Sequence, residues 1–164
     1  MYKRQQLSTL KGEWAGASGQ PQFLPSSWYH YSVDYDGDGR RDIWKTQSDV
    51  FASIANYLIK HGWVSGQPWG VEVSLPQGFN RGWINSKKYQ SVEQWQKMGV
   101  RFHTPYFIDS SWSARLIHPH GGPDLMVFNN FNVIMRWNHS SYYAGTVGYI
   151  ADQICKQQTY KKKR

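Results

Sequence analysis

Residues 34–62 read DYDGDGRRDIWKTQSDVFASIANYLIKHG and join an acidic loop to a helical pattern. The loop follows the pattern D-x-D-x-D-G-x-x-D through Asp34, Asp36, Asp38, Gly39 and Asp42. This pattern is the front half of an EF-hand loop, in which alternate residues of a tight turn aim oxygen ligands at one point. Carboxylates this close together repel one another without a cation between them. The spacing therefore predicts a bound cation.

The predicted ligand set departs from the full EF-hand pattern. Position twelve holds Lys45 in place of the usual bidentate Glu, so Asp49 at the start of the next helix is the predicted replacement. Arg40 occupies position seven, which needs only a backbone carbonyl. The predicted ligands are Asp34, Asp36, Asp38, Arg40, Asp42 and Asp49, and the predicted ion is a structural Ca²⁺, with Na⁺ as an alternative. An acidic turn without a metal is the competing interpretation, and the chain is expected to use no organic cofactor.

The helical pattern covers residues 48–61. Its apolar residues recur at intervals of three and four, which predicts one buried stripe: Val50, Phe51, Ile54, Ala55, Leu58 and Ile59. Ser48 or Asp49 is expected to cap the start, and Gly62 to end the helix in the left-handed conformation.

The remaining elements are short until the C-terminal end. Alternation predicts a strand over residues 71–75, and Ser91 with Gln94 forms a capping box for a short helix that ends near Gly99. The turn PHGGP joins two further predicted strands, residues 113–118 and 124–128. Residues 15–27 read as a shaped loop, rich in Pro, Gly and polar residues.

A last helix is predicted from about Ser140 to about Gln157. Its expected buried stripe consists of Tyr143, Val147, Ile150, Ala151 and Ile154. The order of elements predicts an α+β fold that is mainly helical, with a small antiparallel sheet inserted at about residues 70–128. Residues 1–12 are expected to be a flexible segment, residues 13–157 the folded part, and residues 158–164 a basic tail.

Composition excludes several classes of protein. The 164 residues include 16% aromatics, which argues against a disordered chain, and the single Cys excludes a disulfide framework or a multi-Cys zinc site. No apolar run approaches the roughly 18 residues of a membrane helix, and the polar N-terminus lacks the apolar stretch of a signal peptide. The formal net charge is +8, and four of the basic residues lie in the terminal run 161–164. A solvated, frayed end is the favoured interpretation of this run, and an anionic polymer as a partner is the alternative. Nucleic acid is not the expected one, because basic and aromatic residues do not interleave on any recognised motif.

Five blocks, in this order and spacing, resemble the second half of the lytic murein transglycosylase B family. They read WAGASGQPQFLPSSW, DYDGDGRRDIW, DVFASIANYLIKHGW, PWGVEV and NFNVIMRWNHSSYYA. The resemblance covers about residues 10–157 and implies a lysozyme-like fold, of which this chain would be part. It also implies a role on peptidoglycan glycan strands in the periplasm or cell envelope. Members of the family cleave the β-1,4 bond between N-acetylmuramic acid (MurNAc) and N-acetylglucosamine (GlcNAc) and leave a 1,6-anhydromuramoyl end.

In the family, a single Glu upstream of the AGA-x-G block acts as acid and then as base. The chain begins just before that block, so the resemblance implies that the region of the catalytic Glu is absent and that the chain alone is inactive. Glu13 is a candidate substitute acid. The alternative is that Glu13 arose by sequence drift at a solvent-exposed edge and has no catalytic role. Two sources of the region that carries the catalytic Glu are left open: a separately encoded N-terminal half as a partner, or a longer coding region. The competing functions are a non-catalytic glycan-binding fragment, a remnant of a split gene and, less favoured, a basic nucleic-acid-binding protein.

The resemblance also implies residues that bind substrate. They are Glu13, Gln22, Phe23, Tyr57, Trp137, Asn138 and Tyr143. Amides suit sugar hydroxyl and acetamido groups because they both donate and accept hydrogen bonds, and aromatic rings pack on the apolar face of a pyranose. Each has a structural alternative: Gln22 tying its loop to itself, Phe23 filling the core, and Tyr143 lying on the buried stripe of the last helix.

Overall fold

The computed structural model describes residues 12–104 and 107–161, and the chain divides between His61 and Gly62 into two compact units. Apart from Gly12, the predicted flexible segment 1–12 lies outside the described residues, as do residues 162–164 of the predicted tail. No helix in the described ranges is both long and apolar enough to cross a bilayer. The architecture is α+β with a small antiparallel sheet, as the sequence predicts.

The first unit contains two helices joined by the acidic loop. Helix α1 spans Pro25–Tyr31 and α2 spans Gln47–Lys60. Helix α1 begins inside the segment 15–27 that was predicted to be a loop, because Pro25 stands in the first turn, where its missing N–H costs nothing. Phe23, Ile43 and Val50 are buried in this unit.

Helix α2 forms as predicted, but its caps and its buried face differ from the prediction. The N-cap is Thr46, so Ser48 and Asp49 lie within the helix, whereas Gly62 does adopt the left-handed conformation. The buried residues of α2 are Asp49, Val50 and Ser53, while Phe51 and Ile59 of the predicted stripe are exposed. The apolar spacing predicted the helix correctly and its buried face only in part, since Val50 of the predicted stripe is buried.

The second unit is built on a five-stranded sheet of order β2-β4-β5-β1-β3. Every neighbouring pair is antiparallel. The strands are β1 Gly70–Ser74, β2 Gln90–Ser91, β3 Arg101–Phe102, β4 Ser113–Ile117 and β5 Leu125–Val127. The predicted strands at residues 71–75, 113–118 and 124–128 correspond to β1, β4 and β5, so these three predictions are confirmed.

The central strand β5 separates two apolar cores. Met126 packs with Trp95 and Phe128 in the first core, whereas Leu125 and Val127 pack with residues of the C-terminal helices in the second. Because successive strand side chains point to opposite faces, one three-residue strand serves both cores.

Three helices complete the second unit. They are α3 Val92–Lys97, α4 Asn129–Trp137 and α5 Ser141–Lys161. The capping box of Ser91 and Gln94 forms with both of its hydrogen bonds, as predicted. The sequence analysis did not predict α4.

Helix α5 starts where predicted, but the predicted stripe is not its buried face. Val147, Ile150 and Ile154 are exposed, and the buried positions are Ala144 and Gly148. A Cβ atom added at Gly148 would overlap the Trp69 ring. Two small residues of the helix therefore form its buried face, and the larger apolar residues Val147, Ile150 and Ile154 lie outside it.

Candidate functional site

Three carboxylates of the first unit converge on one point. One oxygen atom from each of Asp34, Asp36 and Asp49 lies within 4.8 Å of the others. Asp49 is only 1% exposed, although it is a charged residue in the first turn of α2. Buried carboxylates are uncommon unless hydrogen bonds or cations compensate them.

Backbone N–H groups hold this acidic loop in its shape. Asp49 accepts hydrogen bonds from the N–H groups of Tyr35 and Asp42, each at 2.9 Å. Asp34 accepts from Gly37 and Gly39, also at 2.9 Å. The two bonds to Asp49 fasten the loop to the start of α2, and the two bonds to Asp34 hold the turn within the loop.

The carboxylates of two other predicted ligands, Asp38 and Asp42, accept hydrogen bonds from nearby backbone N–H groups. Asp38 accepts from the N–H of Arg40 at 2.7 Å, and Asp42 accepts from Trp44 at 2.9 Å and from Lys45 at 3.0 Å. Neither carboxylate belongs to the convergent group found among the described residues. The carboxylate groups that the structure brings together are therefore half of the predicted ligand set, and Asp49 is one of them.

Gln22 and Phe23 are adjacent in the chain, but the side chain of Gln22 is exposed and that of Phe23 is buried. Gln22 is exposed, has a left-handed backbone (φ 54°) and donates from Nε2 to the Gly19 carbonyl at 2.8 Å. Its Oε1 atom accepts no hydrogen bond from the described residues, so the amide ties its own loop and still offers an acceptor. A non-glycine residue in this conformation carries strain, which concentrates at functional positions. Phe23 is 3% exposed, which fits the core alternative.

Phe23 belongs to an aromatic cluster in the first unit. Its ring centroid lies 5.9 Å from that of Tyr57, and Tyr57 stacks on His61 at 4.0 Å. Tyr31 closes the cluster with an edge-to-face contact at 4.9 Å from Tyr57. The sequence analysis did not single out Tyr31 or His61, although the four-residue spacing of Tyr57 and His61 on one helix face was an available signal.

The remaining predicted substrate residues surround the junction of α4 and α5 in the second unit. Trp137 ends α4 and is half-buried, and Asn138 is exposed. Asn138 Oδ1 accepts from the N–H of Ser140 at 3.0 Å, while its Nδ2 group has no partner in residues 12–104 and 107–161. The Tyr143 ring packs against the second core, but its hydroxyl group has no hydrogen-bond partner in the same ranges.

None of the three Glu residues of the chain has the surroundings of a general acid. Such an acid needs a raised pKa, which a partly apolar pocket supplies. Glu13 and Glu72 are exposed. Glu93 is also exposed, and a hydrogen bond from Lys97 (2.6 Å), aided by the charge of its ammonium group, lowers the pKa of this carboxyl. All three Glu side chains are therefore exposed to solvent, and none has the low exposure that such a pocket would give.

Comparison with known proteins agrees with the family resemblance of the five sequence blocks. The profile described as "Transglycosylase SLT domain" matches residues 2–152. The membrane-bound lytic murein transglycosylase B of Escherichia coli (strain K12) is 34% identical over 153 residues, which are 88% of this chain and 40% of that protein. The chain thus spans less than half the length of this relative.

Solved structures agree with the sequence match. SltB3 from Pseudomonas aeruginosa, crystallised in complex with NAG-anhNAM-pentapeptide, superimposes with a TM-score of 0.83 at 45% identity, over 89% of this chain and 40% of SltB3. The lytic transglycosylase Slt35 of Escherichia coli, crystallised in complex with calcium, has a TM-score of 0.71 at 32% identity, over 91% of this chain and 47% of Slt35.

Both structures support the lysozyme-like fold that the resemblance implies. Since the family profile covers residues 2–152 of the 164, the chain belongs to the transglycosylase SLT domain family.

Proposed function

We propose that this chain binds peptidoglycan glycan strands as part of a lytic transglycosylase that cleaves the MurNAc–GlcNAc bond to a 1,6-anhydromuramoyl product. The proposal rests on family membership and on the relative SltB3, which was crystallised with a NAG-anhNAM-pentapeptide. The site of action would be the cell envelope, in the periplasm, because peptidoglycan is the substrate of the murein transglycosylases it resembles.

The junction of α4 and α5 carries the binding part of the proposal. It presents two polar groups, the Asn138 amide and the Tyr143 hydroxyl, that have no partner among the described residues. The Tyr143 ring is held by the second core, so its hydroxyl is presented from a rigid base. An ordered donor beside an aromatic ring suits a sugar, whose faces are apolar and whose edge carries hydroxyl groups.

The catalytic part of the proposal assigns the general acid to a segment other than the one described. Glu13, the candidate from the sequence, has an exposed side chain that no apolar pocket surrounds. A general acid needs a partly apolar pocket to keep the proton that it donates to the leaving oxygen. The chain alone is therefore expected to bind glycan without cleaving it, and the acid would come from another part of a longer protein or from a separate polypeptide.

Purified peptidoglycan sacculi test this function directly. The chain should sediment with sacculi, and Asn138→Ala should weaken the sedimentation. Gln96→Ala, which removes an exposed amide on α3, serves as a surface control in the same unit. Digests analysed by mass spectrometry should contain no 1,6-anhydromuropeptides. Anhydro products that disappear with Glu13→Gln would show that the acid assignment is wrong. Loss of sedimentation by the unmodified chain would refute glycan binding.

We further propose that Asp34, Asp36 and Asp49 hold a Ca²⁺ ion. The three carboxylates fit a hard cation, because their oxygens converge and the site lies in a loop held by backbone N–H groups. The ion would neutralise the mutual repulsion of the carboxylates and fix the loop to α2, a structural role. Asp38, Arg40 and Asp42 remain predicted ligands, and Slt35, crystallised with calcium, makes calcium the first ion to test.

A further inference from the structure

A cleft in the second unit contains none of the residues predicted from sequence to bind substrate. Its volume is about 790 Å³, and it lies between the outer face of α5 and the turn that joins β4 to β5. Its lining includes aromatic and polar side chains: Trp69, Glu72, His103, His120, Tyr142 and Tyr149. Trp137, Asn138 and Tyr143 do not line it.

Aromatic side chains line this cleft. Tyr142 and Tyr149 stand on α5 and are 75% and 60% exposed. Trp69 is held in place, because its Nε1 donates to Asp152 at 3.0 Å and its ring stacks on Phe131 with centroids 6.3 Å apart. The close approach of α5 at Gly148 supports the same ring from behind. The cleft therefore contains one fixed aromatic platform and two accessible rings.

Glycines keep both sides of the cleft open. Gly121 lies on the β4–β5 turn and Gly145 on α5, and a Cβ atom added at either would meet no atom within 4 Å. Gly in a helix interior is destabilising relative to Ala. Gly145 stands within α5 in spite of that, and the space beside its Cα atom is open to the cleft.

The polar groups of the cleft are accessible. The side chains of Glu72, His103 and His120 are exposed and make no hydrogen bond to the residues that the structure describes. A carboxylate accepts from hydroxyl groups, and an imidazole both donates and accepts. Acidic groups in the cleft disfavour phosphate and nucleic acid, and a purely apolar ligand would leave the polar side chains of the cleft without hydrogen bonds.

We propose that this cleft is a second carbohydrate-binding site, apart from the α4–α5 junction. Flat aromatic faces beside unpaired carboxylate and imidazole groups match the alternating apolar faces and hydroxyl edges of a sugar chain. The specific class, β-1,4-linked N-acetylated amino sugars, rests on the function proposed above. Such a site would hold a further stretch of the glycan strand.

Titration of the ¹⁵N-labelled chain with the soluble GlcNAc tetramer tests the site. The amide signals of Gly121, Gly122 and Gly145 should shift on binding. Gly145→Leu should weaken this binding by roughly tenfold or more, since the new side chain fills the centre of the cleft. The matched control is Ala151→Leu, at an exposed position of the same helix. Tyr149→Ala provides a second variant that removes an exposed ring without adding bulk.

The possible results separate this inference from the proposed function. Shifts at the cleft glycines that Gly145→Leu and Tyr149→Ala reduce, and that Asn138→Ala leaves in place, would support a second site. Sedimentation with sacculi together with shifts confined to the α4–α5 junction would overturn the second site and leave the proposed function intact. An affinity for the tetramer that is measured from the Gly121 and Gly122 shifts and is equal in Gly145→Leu and the unmodified chain would also overturn it. Cleft shifts without sedimentation would refute the proposed function alone.

Discussion

Replacement of Asp49 by Asn is the most informative test of the acidic loop. The change removes one negative charge and one acceptor oxygen and keeps the size of the side chain. Asp49 is 1% exposed and accepts two backbone N–H groups at 2.9 Å. A hydrogen bond to a charged group is worth about 1.5–3 kcal/mol, and Asn can replace only one of the two.

The effect on stability should depend on calcium. Without the ion, relief of repulsion offsets much of the lost hydrogen bond, because the carboxylate oxygens of Asp34, Asp36 and Asp49 lie within 4.8 Å of one another. With calcium at 100 times its dissociation constant, the unmodified chain should gain about 2.7 kcal/mol. For a chain of this size that corresponds to an increase in melting temperature of roughly 5–11 °C. Asp49→Asn should lose most of the increase.

The assay is thermal unfolding in EDTA and in excess calcium, followed by circular dichroism. Asp109→Asn is the matched control, since Asp109 also accepts two hydrogen bonds, from the N–H and Oγ of Ser111, but lies far along the chain from the acidic loop. The control should retain the full calcium response. An Asp49→Asn variant that calcium stabilises as much as the unmodified chain would refute the proposed ligand set, and an unmodified chain that ignores calcium would refute the metal site.

Three further predictions concern the second unit. Gly148→Ala should lower the free energy of unfolding by about 1–3 kcal/mol in urea titrations, because the new methyl group overlaps the Trp69 ring; unchanged stability would contradict this packing. Asn130→Leu should cost about 3 kcal/mol or more in the same assay, since the fully buried amide makes three hydrogen bonds to the loop 64–67. Glu93→Gln should lower the melting temperature at pH 7 but not at pH 3. The pKa of Glu93 in the folded chain is lowered from 4.5, so the stabilising contribution of this carboxylate is present above pH 4.5. The contribution is lost as the pH falls through the folded pKa. An equal difference at both pH values would show that the carboxylate charge is not responsible.

Local patterns in the sequence were sufficient to predict an element wherever its hydrogen bonds close within one short segment. The capping box of Ser91 and Gln94 closes within four residues, and the β4–β5 pair is joined by one tight turn. Helix α4 was missed because its apolar residues fall close to the next helical pattern, and only the break at Asn138 separates it from α5.

Burial of helix faces was predicted less well, for a physical reason. An apolar stripe shows which residues would gain from burial, but the partner surface decides which face is covered. In α2 the buried residues include Asp49 and Ser53, which hydrogen-bond to backbone N–H groups, while Phe51 is exposed. In α5 the covered residues are Ala144 and Gly148, whose small size allows the closest contact.

The sequence alone determined the acidic loop, the capped helix α3, the hairpin strands and, through five ordered blocks, the family. These features depend on residue types at short fixed spacings. Only the tertiary structure decided that three of the carboxylates converge. It also decided that Asn138 and Tyr143 keep polar groups without a partner among the described residues, and that Trp69 and the exposed rings of α5 line one cleft. These results depend on distances between segments far apart in the chain, which no local spacing specifies.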